Sequence, residues 1–177
     1  MLRFFSDTYD DLDTGSHVVP TSGLSPDADL LPFLDRNGHV EVPALLSGRS
    51  GSLRVLVVDD NLVVARVVGS LLKRLGHAVG TAEDGTHALE RIRESAWDLV
   101  LMDIEMPVLD GLSATRQVRG AELRAGRDQH LPIVALTAFT GDADRRLARA
   151  AGMDGVLEKP VGIDGLKRMF AVLGASV

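Results

Sequence analysis

Short apolar runs that end in a polar residue constrain the fold of this chain more than any other feature. VLVVDD (residues 55–60) passes from four β-forming residues directly into Asp59 and Asp60, and DLVLMD (98–103) and PIVALT (132–137) have the same form. A run of this length without polar alternation is typical of a strand buried on both faces of a parallel sheet. Adjacent aspartates repel each other, so the pair is either a solvated strand end or a site that holds a cation.

The segments between these runs have apolar residues at the spacing of amphipathic helices. We predict strands at 53–58, 77–82, 98–103, 132–137 and 154–157, and helices at 62–75, 85–94, 111–119, 142–150 and 163–173. The pattern leaves open whether the third helix extends into the polar stretch GAELRAGRDQH (120–130). Asp84 and Asp142 are predicted helix N-caps, and Gly76 and Gly152 are predicted helix stops. Strands that alternate with helices favour one α/β domain, a doubly wound five-stranded parallel sheet with five helices.

The first 52 residues differ in composition from the rest. They hold three Arg and eight acidic residues, a net charge of −5, and four of the seven prolines. GRSGS (48–52) resembles a flexible joint, so we predict an irregular acidic extension or linker at 1–52 and a folded domain at 53–174. PFLDRNGHVEVP (32–43) favours a hairpin around its Asn-Gly turn. One hypothesis is that this acidic extension covers the basic face of the predicted fourth helix, with Arg145, Arg146 and Arg149.

Composition also excludes several classes of protein. The chain has no cysteine, which excludes disulfides and thiolate metal sites. No apolar run approaches the roughly 18 residues of a membrane span, and the N-terminal MLRFFSDTYDD is not a signal peptide, so we predict a cytoplasmic protein without membrane insertion. The net charge of −6 argues against direct nucleic-acid binding.

The polar residues at the strand ends form a candidate site. In an open α/β sheet, ligands bind outside the carboxyl ends of the strands. The predicted strands place five side chains there: Asp59, Asp60, Asp103, Thr137 and Lys159. Aspartates often terminate strands, so each residue alone is weak evidence, but three carboxylates, a hydroxyl and an ammonium on one edge of a sheet indicate a chemical role.

Four motifs in order carry a family resemblance: VLVVDDN (55–61), LVLMDIEMPVLDG (99–111), ALTA (135–138) and EKP (158–160). With these motifs, residues 53–174 resemble the receiver domain of response regulators in two-component signalling, most closely the receivers of hybrid histidine kinases. The resemblance implies the flavodoxin-like receiver fold, with strand order 2-1-3-4-5.

The resemblance also implies a chemistry. Asp59, Asp60, Asp103 and the backbone carbonyl of Glu105 would hold Mg²⁺. Asp103 would accept a phosphoryl group from a phosphohistidine, while Lys159 and Thr137 contact the phosphoryl oxygens. The implied partners are a histidine kinase or a histidine phosphotransfer protein, and a downstream protein target. The chain would not be an enzyme in the usual sense, because it would catalyse only its own phosphorylation and dephosphorylation.

Some positions depart from the family pattern or leave alternatives open. Val156 stands where many receivers carry a Tyr or Phe that swings inward on activation, and Phe139 and Glu105 flank the expected site. His77 is expected to face solvent or a strand edge. The alternatives are an inactive receiver-like interaction module and a Mg²⁺-dependent phosphohydrolase that forms an aspartyl phosphate, although the latter usually carries its nucleophile on the first strand.

Overall fold

Strands and helices alternate along the part of the chain that the structure, a computed structural model, describes: residues 30–31, 45–46, 49, 51–126, 130–138 and 141–175, of which 30–31 are described as backbone. The strands are β1 (Leu30–Leu31), β2 (Arg54–Val58), β3 (Ala78–Ala82), β4 (Leu99–Asp103), β5 (Ile133–Thr137) and β6 (Gly155–Glu158). The helices are α1 (Leu62–Arg74), α2 (Gly85–Glu94), α3 (Gly111–Arg124), α4 (Asp142–Ala151) and α5 (Ile163–Val172).

These strands form one sheet in the order β1-β6-β5-β4-β2-β3. The five strands β2 to β6 are parallel, and their order is the predicted 2-1-3-4-5. The structure adds one strand to the prediction, since β1 pairs antiparallel with β6 through Leu30 with Leu157 and Leu31 with Val156. Chain order reverses between β2 and β4, so the crevice at their carboxyl ends is the topological switch point.

Two apolar layers cover the sheet. One face packs mainly against α1 and α5, with Val68, Leu72 and Phe170 fully or almost fully buried. The other face packs against α2, α3 and α4, with Ala88, Ala114 and Ala148 at zero exposure. All five residues of β4 and of β5 are buried, as expected for the central strands of a parallel sheet.

Helix ends agree with the sequence signals at most positions. Asp84 caps α2 by accepting a hydrogen bond from His87 N at 2.8 Å. The prediction for α4 was wrong by one residue, because Gly141 is its N-cap and Asp142 is its first helical residue. Gly152 ends that helix in the left-handed conformation with φ 91°, which glycine adopts without a steric penalty.

Part of the N-terminal region packs into the domain. Leu46 has zero exposure within the apolar layer, and its backbone N–H donates to the carbonyl of Leu173 at 2.9 Å. The folded unit therefore includes a residue that precedes the joint predicted at 48–52. The hairpin predicted at 32–43 lies outside the described residues.

Of the two positions expected for His77, solvent or a strand edge, the structure excludes solvent. Its side chain is 5 % exposed and its ring lies 4.5 Å from the ring of Phe170, measured between centroids. Nδ1 accepts a hydrogen bond from Leu53 N at 3.3 Å, which ties the start of β2 to the turn after α1. None of the described helices is long and apolar enough to cross a membrane.

Candidate functional site: an acidic cluster at the strand ends

Four neighbouring parallel strands end at the same edge of the sheet. The register pairs Val58 with Met102, Asp103 with Leu136 and Thr137 with Glu158. The polar residues that terminate or follow these strands are therefore brought to one crevice, as the sequence predicts. They are Asp59 and Asp60 after β2, Asp103 at the end of β4, Thr137 at the end of β5 and Lys159 after β6.

Three of these residues form an acidic cluster. Carboxylate oxygens of Asp59, Asp60 and Asp103 all lie within 4.8 Å of one another. Asp59 and Asp103 are buried, whereas Asp60 is exposed. Because like charges at this separation repel strongly away from bulk water, the cluster needs a positive charge beside it.

Lys159 supplies part of that charge. Its Nζ lies 2.7 Å from Asp59 Oδ2 and 2.7 Å from Asp103 Oδ2, so one ammonium bridges the two buried carboxylates. Burial lowers the pKa of Lys159, but its hydrogen bonds and attraction to Asp103 and Asp59 outweigh burial and raise that pKa, which keeps the ammonium charged. Three carboxylates and one ammonium leave a net charge of about −2, which matches one divalent cation.

The electrostatics of Asp103 differ from those of an ordinary surface aspartate. Burial raises the pKa of the Asp103 carboxyl, and the neighbouring Asp59 carboxylate raises it further. The hydrogen bond and charge of Lys159 lower this pKa, but the net effect is a raised pKa. The backbone N–H of Glu105 donates to Asp103 Oδ1 at 3.4 Å, and Lys159 donates to Oδ2 at 2.7 Å. Each oxygen therefore has its own hydrogen-bond donor, and the two donors together fix the orientation of the carboxylate.

Thr137 and Glu105 stand beside the cluster. Thr137 is 5 % exposed, and its carbonyl accepts a hydrogen bond from Lys159 N at 2.8 Å, which fixes the turn that carries the lysine. The Glu105 side chain is exposed, so its contribution near Asp103 is made by the backbone. Phe139, which we expected to flank the site, lies outside the described residues, and Val156 is buried in β6 at 1 % exposure.

Asn61 is a site residue that the list of strand-end charges missed. Its backbone N–H donates to Asp59 Oδ1 at 3.0 Å, and its side chain caps α1 by accepting from Val63 N at 3.0 Å. One residue thereby orients the buried aspartate and starts the following helix. An Asn directly before an apolar helical pattern is an N-cap signal, and it could have identified this role.

Gly111 is required by a close approach of two backbones. A Cβ atom on Gly111 would lie 1.9 Å from the carbonyl oxygen of Asp103 and 2.9 Å from Met102 Cγ. Its N–H donates to the carbonyl of Ile104 at 3.0 Å, which closes the loop between β4 and α3. In the same loop, Val108 has φ 66° and is 84 % exposed, a strained conformation for a β-branched residue.

Comparison with known proteins decides the family. The family model of the response regulator receiver domain matches residues 55–171. The chain belongs to this family. The match covers every strand and helix from β2 to α5, apart from Arg54 at the start of β2 and Val172 at the end of α5. It contains all the residues of the acidic cluster.

Curated relatives of this receiver are hybrid kinases and sensor proteins. It is 38 % identical over 136 residues to Histidine kinase 5 of Arabidopsis thaliana, covering 64 % of this chain and 15 % of the relative. It is 42 % identical over 108 residues to Sensor protein GacS of Pseudomonas syringae pv. syringae, covering 61 % of this chain and 12 % of the relative. The receiver thus spans a small part of the length of these proteins.

Solved structures show the same receiver fold. One is the receiver domain of the Saccharomyces cerevisiae response regulator Ssk1, crystallised with the histidine phosphotransfer protein Ypd1; it has a TM-score of 0.67, is 31 % identical, and the match covers 71 % of this chain and 91 % of that chain. Another is the receiver domain of a sensor histidine kinase from Pseudomonas aeruginosa, with magnesium coordinated in its active-site cleft; it has a TM-score of 0.61, is 37 % identical, and the match covers 70 % and 99 % of the two chains.

Proposed function

We propose that this receiver accepts a phosphoryl group on Asp103 from a phosphohistidine in a two-component or phosphorelay pathway. One observation carries the proposal: Asp103 ends β4 with one oxygen bound to Lys159, inside a cluster of three carboxylates whose oxygens lie within 4.8 Å of one another. A carboxylate with this setting is a nucleophile placed where a phosphoryl group can be surrounded by positive charge and hydrogen-bond donors.

The side chains have separate parts in the transfer. An Asp103 carboxylate oxygen attacks phosphorus while the bond from phosphorus to the histidine nitrogen breaks. The electron pair of that bond stays on the nitrogen, and the donor ring, protonated on its other nitrogen, leaves as neutral imidazole. Lys159, already 2.7 Å from Asp103, then neutralises a phosphoryl oxygen, and the Thr137 hydroxyl donates to another. We expect the acyl phosphate to be hydrolysed slowly at the same site, without turnover of a diffusible substrate.

The donor set fits Mg²⁺. It consists of carboxylate oxygens with one exposed member, Asp60, and Mg²⁺ prefers oxygen ligands while retaining several waters. Asp59, Asp60 and Asp103 would hold the ion together with the backbone carbonyl of Glu105. When bound, Mg²⁺ would supply charge neutralisation at the phosphoryl oxygens.

An exposed apolar surface beside the site supports a protein donor. Leu62, Val63 and Val67 of α1 are 58 %, 69 % and 51 % exposed, and α1 starts two residues after Asp60. Apolar side chains grouped at the mouth of a crevice are typical of a protein contact. We call Leu62, Val63 and Val67 the α1 apolar surface and propose that it docks the protein that carries the phosphohistidine. The crystallised complex of the Ssk1 receiver with Ypd1 supports a partner of this class.

Intact-mass spectrometry after incubation with acetyl phosphate and Mg²⁺ tests the chemistry. We expect one phosphate adduct on the native chain, no adduct on Asp103→Asn, and loss of the adduct with time when Mg²⁺ is present. A native chain that binds Mg²⁺ but gains no adduct from either acetyl phosphate or a phosphorylated histidine phosphotransfer protein would contradict the proposal. Such a result would favour an interaction module without phosphorylation.

A further inference from the structure

A groove of about 470 Å³ runs along the outer edge of β3. Its walls include Arg66, Ser70 and Lys73 of α1, Gly80 and Thr81 of β3, and Arg91 of α2. Because β3 is the last strand of the sheet on this side, helices from both faces contribute to the same groove. We call it the α1–β3 groove.

The charge of the α1–β3 groove has one sign. Arg66, Lys73 and Arg91 line it, and among the described residues no carboxylate does. Arg66, Ser70 and Lys73 are spaced by four and three residues, so they lie in a row on one face of α1. Arg91 approaches from the opposite face of the sheet. A ligand in this groove therefore meets positive charge on both sides, which selects a ligand with several negative charges.

The floor of the groove is an open strand edge. Within the described residues, β3 pairs with β2 on one side and has no strand on its other side. The outward backbone N–H and C=O groups of such an edge can pair with an added extended segment. An open strand edge flanked by cations fits an extended acidic peptide better than a compact anion.

The chain itself contains a segment of this chemistry. Residues 7–13, DTYDDLD, hold four aspartates and no basic residue. In an extended conformation, Asp7, Asp11 and Asp13 would lie on one side and Asp10 on the other. This distribution matches two cations on α1 and one on α2. The α4 face is a poorer match, because its first turn carries Asp142 and Asp144 beside its arginines.

The linker between the acidic segment 7–13 and β1 is long enough for the segment to reach the α1–β3 groove. The sixteen residues 14–29 separate the acidic segment from β1, and at full extension they reach about 53 Å. Five strand spacings separate β1 from β3, about 24 Å across the sheet. The spare length allows the chain to pass around a layer of helices. Tethering also gives the segment an effective concentration on the order of mM, which favours it over the same peptide in solution.

We propose that the α1–β3 groove is a binding site for an extended acidic segment, and that residues 7–13 of the same chain occupy it by adding to the edge of β3 between Arg66, Lys73 and Arg91.

The chain carries its own reporter for this contact. Tyr9, the single tyrosine, lies within the acidic segment, and Trp97 is the single tryptophan. The guanidinium of Arg91 lies 5.7 Å from the centre of the Trp97 ring, so the indole borders the groove. Resonance energy transfer from Tyr9 to Trp97 in the full chain therefore measures docking without a label, with Tyr9→Phe as the zero of transfer.

We expect transfer in the native chain at an ionic strength of about 0.01 M and its loss at about 1 M, where the Debye length falls from about 30 Å to about 3 Å. Arg66→Gln with Lys73→Gln should abolish transfer while leaving the contact of Arg91 with Trp97 intact. The matched control, Arg146→Gln with Arg149→Gln on α4, removes the same charge and should retain it. Asp10→Asn with Asp11→Asn, outside the described domain, should reduce transfer without any effect on the groove.

Three results would overturn the proposal. The first is transfer that persists in the Arg66 and Lys73 double variant at low salt. The second is transfer lost only in the Arg146 and Arg149 control, which would place the segment on α4. The third is transfer that decreases on dilution, which would show that the groove binds the segment of a second copy.

Discussion

The buried charge of Asp59 lowers the stability of the folded chain when no divalent cation is present. It has zero exposure, and it shares one ammonium with Asp103 while the cluster keeps a net charge of about −2. Asp59→Asn keeps an oxygen for the N–H of Asn61 and leaves Lys159 paired with Asp103. We expect the free energy of unfolding without divalent cations to rise by about 1 kcal/mol, because like-charge repulsion decreases.

Urea unfolding without Mg²⁺ measures the destabilisation by the Asp59 charge, and unfolding with Mg²⁺ measures how much the ion stabilises the folded chain. The native chain should gain stability as Mg²⁺ is added, because the proposed Mg²⁺ site exists only in the folded state, and Asp59→Asn should gain less. Asp84→Asn, an N-cap outside the cluster, is the control and should respond to Mg²⁺ like the native chain. Equal Mg²⁺ stabilisation of Asp59→Asn and the native chain would remove Asp59 from the metal site.

His77 gives the fold a defined response to pH. Burial lowers the pKa of His77, so the unfolded chain binds a proton at a pH where the folded chain does not. Its contribution to stability is complete above the unfolded pKa of about 6.5 and is lost as the pH falls below that value toward the folded pKa. His77→Asn retains an acceptor for Leu53 N and cannot titrate.

Unfolding free energies between about pH 8 and pH 5 test this prediction. The variant should lose about 1 kcal/mol at every pH through the lost ring contact with Phe170, but it should decline less steeply below about pH 6.5. Parallel curves for His77→Asn and the native chain would mean that His77 is not the titrating group.

At the scale of elements, the connection between β4 and α3 positions Asp103, the nucleophile of the proposed transfer. A Cβ on Gly111 would collide with the carbonyl oxygen of Asp103, so Gly111→Ala should displace the end of β4 and lower the free energy of unfolding by about 3 kcal/mol. Gly120→Ala in the same helix meets only the flexible end of Arg124 at 3.4 Å and should stabilise by about 0.5–1 kcal/mol. Thermal unfolding and the yield of phosphorylation by acetyl phosphate should fall together in Gly111→Ala; an active, stable variant would contradict the prediction.

The α1 apolar surface makes a separate prediction about the donor. Val63→Asp with Val67→Asp leaves the acidic cluster intact, so phosphorylation by acetyl phosphate should not change. Transfer from a phosphorylated histidine phosphotransfer protein should fall by about tenfold, because two apolar contacts are lost from the docking surface. Leu123→Asp on α3, also a highly exposed apolar residue, is the control. An equal loss with both donors would indicate damage to the site rather than to docking.

Elements with a clear apolar pattern along the chain could be predicted from the sequence. Elements whose formation depends on tertiary contacts could not. Strands β2, β4 and β5 are continuous apolar runs, and their bounds agree with the prediction within one residue. Helix α3 continues five residues past Arg119 into the polar stretch 120–130, an extension that the sequence leaves open. Arg119 contacts Glu122 at 2.8 Å and Asp154 at 2.9 Å, and these ion pairs stabilise the added turn. The two-residue β1 is too short to show a periodic pattern. Its pairing depends on a distant strand, because Leu30 pairs with Leu157 and Leu31 with Val156, which lie 127 and 125 residues further along the chain.

At the scale of the whole molecule, the domain is fastened to residues that the sequence assigns to a linker. Leu46 is fully buried against the α1–α5 layer. Leu46→Ala should lower the free energy of unfolding by about 2–5 kcal/mol, whereas Leu123→Ala, at 84 % exposure, should change it by less than about 0.5 kcal/mol. Denaturant unfolding decides; equal, small effects would show that residues before 53 do not belong to the folded unit.

The residues of the candidate site could be predicted better than the burial of Leu46. A parallel sheet fixes which strand ends meet, so Asp59, Asp60, Asp103 and Lys159 could be placed together from the order of the strands alone. The bridging of two carboxylates by one lysine, the role of Asn61 and the backbone contact at Gly111 depend on distances of a few ångströms. Such distances are set by packing, and no spacing along the chain specifies them.

If Asp103 is phosphorylated as we propose, the position of Lys159 also determines which substitution imitates the phosphorylated state in a living cell. Aspartyl phosphate carries a charge of about −2, whereas glutamate carries the same single charge as aspartate. With Lys159 Nζ already 2.7 Å from Asp103 Oδ2, the extra methylene of Asp103→Glu would push a carboxylate against the ammonium without adding charge for it to neutralise. A strain carrying Asp103→Glu should therefore resemble one carrying the unphosphorylatable Asp103→Asn, and it should not reproduce constitutive signalling.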